Sequence, residues 1–153
     1  MNPKPETRNS EPETWMREAL KEARKALAKD EVPIGAVIVA GDRVIARAHN
    51  LTETLNDVTA HAEMQAITSA ASYIGGKYLK DCTLYVTLEP CLMCAAALYW
   101  AQITHIVYGA ADSKRGFSLN PVSPLHPATK VTSGILETEC AALLTDFFRK
   151  KRR

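Results

Sequence analysis

The sequence predicts an α/β protein with three layers (α/β/α), in which helices cover both faces of a central mixed sheet of about five strands. Short runs rich in β-branched residues alternate with helical patterns along most of the chain. Such alternation is typical of strands joined by crossover helices. A chain of 153 residues is also long enough to bury one hydrophobic core, and no internal repeat divides it.

The N-terminal part is expected to be a flexible leader followed by one domain. Residues 1–12 are polar and contain proline, without an apolar segment typical of a secretory signal. Ser10 and Glu13 fit a capping box, in which glutamate follows the N-cap serine by three residues. Apolar residues then recur with helical spacing as far as Lys29. We therefore predict a leader over 1–12 and a single domain over 13–153.

The following elements are predicted from changes in hydrophobic periodicity. Two apolar runs separated by Gly41 and Asp42 predict a β-hairpin. Helices and strands then alternate, so we expect parallel pairing of the strands that the helices connect, and a last helix begins near Leu136. The predicted ranges are 34–40 and 44–48 for the hairpin, 60–72 and 91–101 for helices, and 83–88 and 105–109 for later strands.

Two short segments carry residues that can bind a metal: Thr-Ala-His-Ala-Glu with His61, and Glu-Pro-Cys-Leu-Met-Cys with Cys91 and Cys94. Imidazole and thiolate together favour zinc. Pro90 precedes the cysteines, so a helix that begins there brings both sulfurs to one face. The unpaired N–H groups of that helix start also favour thiolate, the form that binds a metal.

His61 and Glu63 are two residues apart, so they converge only if His61 stands at the entrance of its helix rather than inside it. Three protein ligands leave the fourth zinc position open, whereas a structural zinc site has four. Such a centre lowers the pKa of a bound water to roughly 7, and Glu63 could move its proton. The residues therefore indicate a hydrolytic zinc centre with ligands His61, Cys91 and Cys94 and with Glu63 as the catalytic carboxylate.

Together the two segments resemble the His-x-Glu and Pro-Cys-x-x-Cys signature of the zinc-dependent nucleobase deaminases. Within that cytidine/deoxycytidylate deaminase superfamily, the chain is similar to the bacterial tRNA adenosine deaminases of the TadA type, from about Trp15 to the C-terminus. The segments that carry this likeness are 32–37, 57–63, 84–91 and 139–149. Two departures are the short loop 125–130 and Val58, which stands where the family commonly has proline.

The resemblance implies a cytidine-deaminase-like fold, one zinc ion per chain, and hydrolytic deamination of adenosine to inosine at the wobble position of tRNA. It also implies a homodimer, whose interface could include Leu98, Tyr99 and Trp100. The side chains that it implies as substrate contacts are Asn50, Asp112, Lys114 and Phe148.

Some of these residues have simpler structural interpretations. Asn50 ends a predicted strand, where asparagine commonly caps the chain. Asp112 and Lys114 could be ordinary solvated loop charges. Phe117 looks exposed and could stack on a base or anchor its loop.

Two other functions share the same motif residues. A deaminase of free bases or nucleosides, of the guanine or cytosine type, would use the same zinc centre. A zinc-stabilised RNA-binding module without activity would need a fourth protein ligand, for which Cys82 is the candidate, and would make Glu63 dispensable.

Cysteine usage and charge narrow the class of protein further. Four cysteines could form two disulfides, but a Cys-x-x-Cys beside a histidine motif favours metal binding, which leaves Cys82 and Cys140 as packed thiols. The net charge is +2, and residues 149–153 are all basic. This cluster could contact phosphates or complement the dipole of its own helix. No apolar run has the length of a membrane span, so a cytoplasmic location is the expectation.

Overall fold

The computed structural model describes residues 11–152, which form a five-stranded sheet covered by four helices. The helices are α1 (Glu11–Ala28), α2 (Ala62–Ile74), α3 (Leu92–Ala101) and α4 (Glu137–Lys151), and a 3-10 turn spans Phe117–Leu119. The strands are β1 (Gly35–Ala40), β2 (Arg43–His49), β3 (Cys82–Leu88), β4 (His105–Ala110) and β5 (Lys130–Thr132). The three-layer prediction is confirmed.

The sheet has the strand order β2-β1-β3-β4-β5. β1 pairs antiparallel with both β2 and β3, whereas β3, β4 and β5 are parallel neighbours. The prediction of parallel pairing is therefore right for β3 and β4, which α3 connects. It is wrong for β2 and β3, because the first hairpin strand lies between them.

The pattern of burial follows from the two helical layers. β1 and β3 lie inside the sheet and are buried along almost their whole length, as expected where helices cover both faces. One core contains Ile38, Leu84 and Ile106 packed with α2 and α3. The other contains Val37 and Val107 packed with α1 and the start of α4. Each face of the sheet thus carries two helices.

One glycine fixes how closely α1 lies on the sheet. A Cβ atom at Gly35 would be 2.1 Å from the carbonyl oxygen of Ala19 and 2.3 Å from the backbone nitrogen of Ala23. Only a residue without a side chain lets the helix backbone approach the first residue of β1 so closely.

Ser10, the predicted N-cap of α1, and most of the predicted leader lie outside the described residues. Phe117 is buried and packs edge-to-face on Tyr108, so the loop-anchor interpretation is right and base stacking by Phe117 is wrong. Leu98 is fully buried within the monomer and cannot contribute to an interface, whereas Tyr99 and Trp100 are exposed.

Membrane insertion of a helix finds no support in the described chain. No helix between residues 11 and 152 is both long enough and apolar enough to span a bilayer.

Candidate metal centre

The two motif segments meet where α2 and α3 begin. His61 is the N-cap residue of α2, with φ −71° and ψ 155°, and Cys91 is the N-cap residue of α3, with φ −75° and ψ 174°. Both residues are therefore extended while their carbonyl oxygens already accept the first helical hydrogen bonds, from Gln65 and Ala95. The entrance position predicted for His61 is confirmed, and it lets His61 and Glu63 point to one place.

The distances between the three candidate ligands fit zinc. The Nδ1 atom of His61 is 3.7 Å from the Sγ atom of Cys91 and 3.4 Å from that of Cys94. Tetrahedral zinc, with bonds of about 2.3 Å to sulfur and about 2.05 Å to nitrogen, holds such atoms about 3.6 Å apart. All three ligand atoms lie within 4.8 Å of one another. The side chains present thus fit one zinc ion.

Among residues 11–152, this group contains no fourth protein ligand. The cluster found among residues 11–152 contains one histidine and two cysteines, and Cys82 is not a member. Cys82 is the first of the seven residues of β3, so six steps of about 3.3 Å separate it by roughly 20 Å from the strand end that precedes Cys91. Burial also raises the pKa of Cys82, which keeps it a thiol. The arrangement that a structural zinc module needs is therefore absent from this part of the chain.

The two cysteines of the cluster differ in charge state. A hydrogen bond from Cys94 lowers the pKa of Cys91 to about 4, against the effect of burial, and His61 contributes in the same direction. The same hydrogen bond, together with burial, raises the pKa of Cys94. The pKa of His61 is raised by its hydrogen bond to Cys91. Cys91 is thus ready to bind a metal as thiolate, and metal binding must displace the proton of Cys94.

Glu63 lies beside the cluster without belonging to it. Its side chain is almost fully buried in the first turn of α2 and is hydrogen-bonded to Cys94. Burial raises the pKa of Glu63 to about 7. A carboxyl group whose pKa is near neutrality can both accept and return a proton at physiological pH.

A cavity of about 350 Å³ adjoins the cluster. Cys91 is the cluster member that lines it, and Lys114 and Arg115, in the loop after β4, line it as well. Lys114, a predicted substrate contact, is therefore close to the centre. Asp112, another of them, uses its Oδ1 atom within the loop, where it accepts hydrogen bonds from the backbone N–H groups of Lys114 and Arg115, both at 3.0 Å.

The remaining two predicted substrate contacts occupy different surroundings. Asn50 is buried just after β2, where its Nδ2 atom donates to the carbonyl oxygen of Val32 at 3.5 Å and its Oδ1 atom accepts from the N–H group of Thr52 at 3.4 Å. Phe148 lies in the last turns of α4, half exposed and packed edge-to-face on Phe147. It does not line the cavity beside Cys91.

Sequence reasoning missed Glu89, which it included only as the first residue of the Glu-Pro-Cys-Leu-Met-Cys segment. Glu89 is buried and bonds two backbone N–H groups of the loop after β4. The sequence carries no local signal for this role, because both partners of Glu89 lie in a loop more than 20 residues further along the chain. Arg115 was missed for a different reason, since a single loop cation carries no pattern.

An open His/Cys/Cys group at two helix starts, with a buried carboxylate beside it on a three-layer α/β/α fold, defines the class of the zinc-dependent nucleobase deaminases. Comparison with known proteins agrees. The model of the MafB19-like deaminase family matches residues 10–152, and the chain belongs to this deaminase family.

Its relatives match over nearly the whole length. The tRNA-specific adenosine deaminase of Bacillus subtilis (strain 168) is 48% identical, over 92% of this chain and 91% of its own. That of Agrobacterium fabrum is 50% identical, over 90% and 94% respectively. A solved structure from a study of A-to-I editing by tRNA:A34 deaminases is 49% identical with a TM-score of 0.79, over 86% of this chain and 99% of that one. A guanine deaminase structure from B. subtilis is 42% identical with a TM-score of 0.63, over 65% of this chain and 64% of that one.

Proposed function

We propose that this protein hydrolytically deaminates adenosine to inosine at the wobble position of tRNA. The observation that carries the proposal is the open His/Cys/Cys group with Glu63 buried beside it, in a chain whose near-full-length relatives are tRNA-specific adenosine deaminases. The guanine-type alternative is not favoured, because a guanine deaminase structure from Nitrosomonas europaea that covers 89% of this chain is only 25% identical to it, against 49% for the tRNA:A34 deaminase structure.

In this reaction His61, Cys91 and Cys94 would hold the zinc ion. Bound zinc would supply an activated water as the nucleophile toward C6 of adenine. Glu63 would take a proton from that water and deliver it to the purine ring nitrogen. It would then help the amino group depart, so that adenosine and water give inosine and ammonia.

Substrate contacts by Asn50, Asp112, Lys114 and Phe148 remain part of the proposal. The wobble base stands in a single-stranded loop, so turning it out costs less than extracting it from a duplex. The exposed cation Lys114 lines the same cavity as Cys91, which the other three residues do not.

We also infer a single deaminase domain over 13–153, a cytoplasmic location with tRNA as partner, and a homodimer. The dimer has structural support in two exposed aromatic side chains in the last turn of α3. Trp100 is 75% exposed and Tyr99 is 40% exposed, which is unusual for side chains of this size.

The deciding experiment compares substrates and a matched variant. The zinc-loaded protein is incubated with adenosine-containing anticodon stem-loops and, separately, with free guanine and free cytosine. We expect inosine from the stem-loops alone. Glu63→Gln should retain one zinc per chain and lose activity by roughly 100- to 10,000-fold, the usual contribution of a general acid–base group. Rapid turnover of a free base with no change in any stem-loop would refute the proposal.

A further inference from the structure

Glu89 is a buried carboxylate that the proposed reaction does not use. It follows the end of β3 and precedes Pro90 and the candidate ligand Cys91, and only 2% of it is exposed. Its Oε1 atom accepts the backbone N–H group of Asp112 at 3.0 Å, and its Oε2 atom accepts that of Ser118 at 2.9 Å. Each oxygen thus binds one end of the segment 112–118.

The C-terminal half of this segment is also bound to the residues that directly follow Glu89. The backbone nitrogen of Phe117 donates to the carbonyl oxygen of Pro90 at 3.0 Å, and Gly116 pairs with Cys91 in an isolated antiparallel bridge. A Cβ atom at Gly116 would be 2.3 Å from the Glu89 carboxyl group, so no space remains between them. The loop is therefore clamped to the turn that carries a candidate zinc ligand.

The clamped segment presents two cations beside the centre. Lys114 and Arg115 are exposed and line the cavity that also touches Cys91. Within the described part of the chain, no carboxylate forms an ion pair with either of them. Their own N–H groups are tied to Asp112, which fixes the turn from which both side chains project.

We propose that Glu89 is a positioning residue that holds segment 112–118 so that Lys114 and Arg115 meet the phosphates next to the target nucleotide. This inference rests on the proposed function for its ligand, an RNA loop. Glu89 accepts one hydrogen bond at each of its two oxygens. A glutamine would turn an NH₂ group toward one of the two N–H groups and lose that bond.

The first test is Glu89→Gln in the zinc-loaded protein. We expect amide hydrogen exchange in 112–118 to become about ten-fold faster, as the loss of one charge-assisted hydrogen bond implies. KM for an anticodon stem-loop should rise roughly five-fold while kcat stays within about two-fold. Zinc content should be unchanged. Glu22→Gln is the control, because it removes a carboxylate of similar burial whose partners are Lys25 and His49.

A second variant disturbs the same contact without touching the carboxylate. Gly116→Ala should reproduce the faster exchange and the higher KM, because its Cβ atom must displace the loop from Glu89. Its backbone φ of −63° permits alanine, so the effect is one of space. Gly76→Ala is the matched control, since a Cβ atom there would meet nothing within 4 Å. If Glu89→Gln does not fold, Gly116→Ala alone decides.

Normal exchange of 112–118 in Glu89→Gln and Gly116→Ala would overturn the inference, and so would lost zinc or a lower kcat at unchanged KM. The proposed function fails separately, through absence of deamination by the unaltered protein. In that case the dissociation constant of the stem-loop, measured by fluorescence anisotropy, replaces KM. A roughly five-fold weaker affinity in both variants supports positioning of the loop, and unchanged affinity overturns it.

Discussion

The chemistry of the centre depends on two side chains that occupy helix N-cap positions. A capping serine or aspartate would accept a hydrogen bond from the first turn and contribute about 1 kcal/mol. His61 and Cys91 form no such side-chain bond. The first N–H groups of α2 and α3 therefore have no capping side chain as partner. Their partial positive charge stabilises a negative group nearby, such as a thiolate at Cys91. Local stability is lower at these positions, and a bound metal would restore it.

Ligand identity can be tested by comparing two buried cysteines. Cys94→Ser should lower the zinc content measured by mass spectrometry to well below one ion per chain and reduce the melting temperature. Cys82→Ala should keep full zinc content, because Cys82 lies outside the cluster. The two variants remove thiols of similar burial. Equal loss of zinc in both would contradict the proposed ligand set.

At the level of helices and strands, much of the fold could be predicted because its signals are local. Hydrophobic periodicity and turn residues gave the hairpin, the helices and β3 to within a few residues, and the cap position of His61 followed from its spacing to Glu63. The place of β1 between β2 and β3 could not be predicted, because strand order depends on contacts between segments distant in sequence. The role of Glu89 was hidden for the same reason, since its partners Asp112 and Ser118 lie more than 20 residues away.

The contact of α1 with β2 should depend on pH through Glu22. Burial raises the pKa of this carboxyl group, but hydrogen bonds from Lys25 and His49 outweigh that effect and leave the pKa below its ordinary value. A lowered folded-state pKa stabilises the fold above the unfolded-state value of about 4.3, and this stabilisation is lost as pH falls through the folded-state pKa. Glu22→Gln should thus cost about 1–3 kcal/mol of unfolding free energy at pH 7. Its difference from the unaltered protein should shrink below about pH 4.

Urea denaturation at several pH values measures this difference. A deficit that is the same at pH 7 and at pH 3.5 would mean that the charge of Glu22 contributes nothing and that only its packing matters.

Across the whole molecule, the cationic groups proposed to contact RNA lie in two places, which are segment 112–118 and the basic end of α4. These two places belong to different layers of the fold. Segment 112–118 is clamped to the start of α3, which packs on one face of the sheet, while α4 covers the opposite face and ends in the basic residues. A metal centre at the starts of α2 and α3, together with cationic groups from both helical layers, is consistent with a substrate much larger than a free base.

The proposed homodimer predicts different effects of substitutions at Trp100 and Leu98, which lie two residues apart in α3. Trp100→Glu should dissociate the dimer in light scattering at micromolar concentration and leave the unfolding free energy of the monomer nearly unchanged, because its side chain is mostly exposed. Leu98→Ala should instead cost about 2–5 kcal/mol, as for other large-to-small changes at fully buried positions. A Trp100→Glu protein that stays dimeric would exclude this face from the interface.

The basic residues at the C-terminal end of the chain differ in whether a carboxylate forms an ion pair with them. This difference allows a test of RNA binding. Lys151 forms an ion pair with Asp30 at 2.7 Å, and Arg149 forms one with Asp146 at 3.4 Å. Lys150 and Arg152 are exposed, and no ion pair joins them to a carboxylate between residues 11 and 152. Among the described residues of this group, they are the two cations without a carboxylate partner, so they can neutralise RNA phosphates and release the counterions bound there.

Replacing Lys150 and Arg152 together by glutamine should therefore weaken binding of an anticodon stem-loop more than replacing Arg149 and Lys151 does. The slope of log affinity against log salt should decrease in magnitude by about 1.4, because each phosphate of a single strand that a cation neutralises contributes about 0.7 to it. Fluorescence anisotropy across a salt series measures both quantities. The cluster at 61–94 is untouched, so kcat at saturating substrate should hold. An unchanged slope in the Lys150/Arg152 variant would mean that the basic end only complements the dipole of α4.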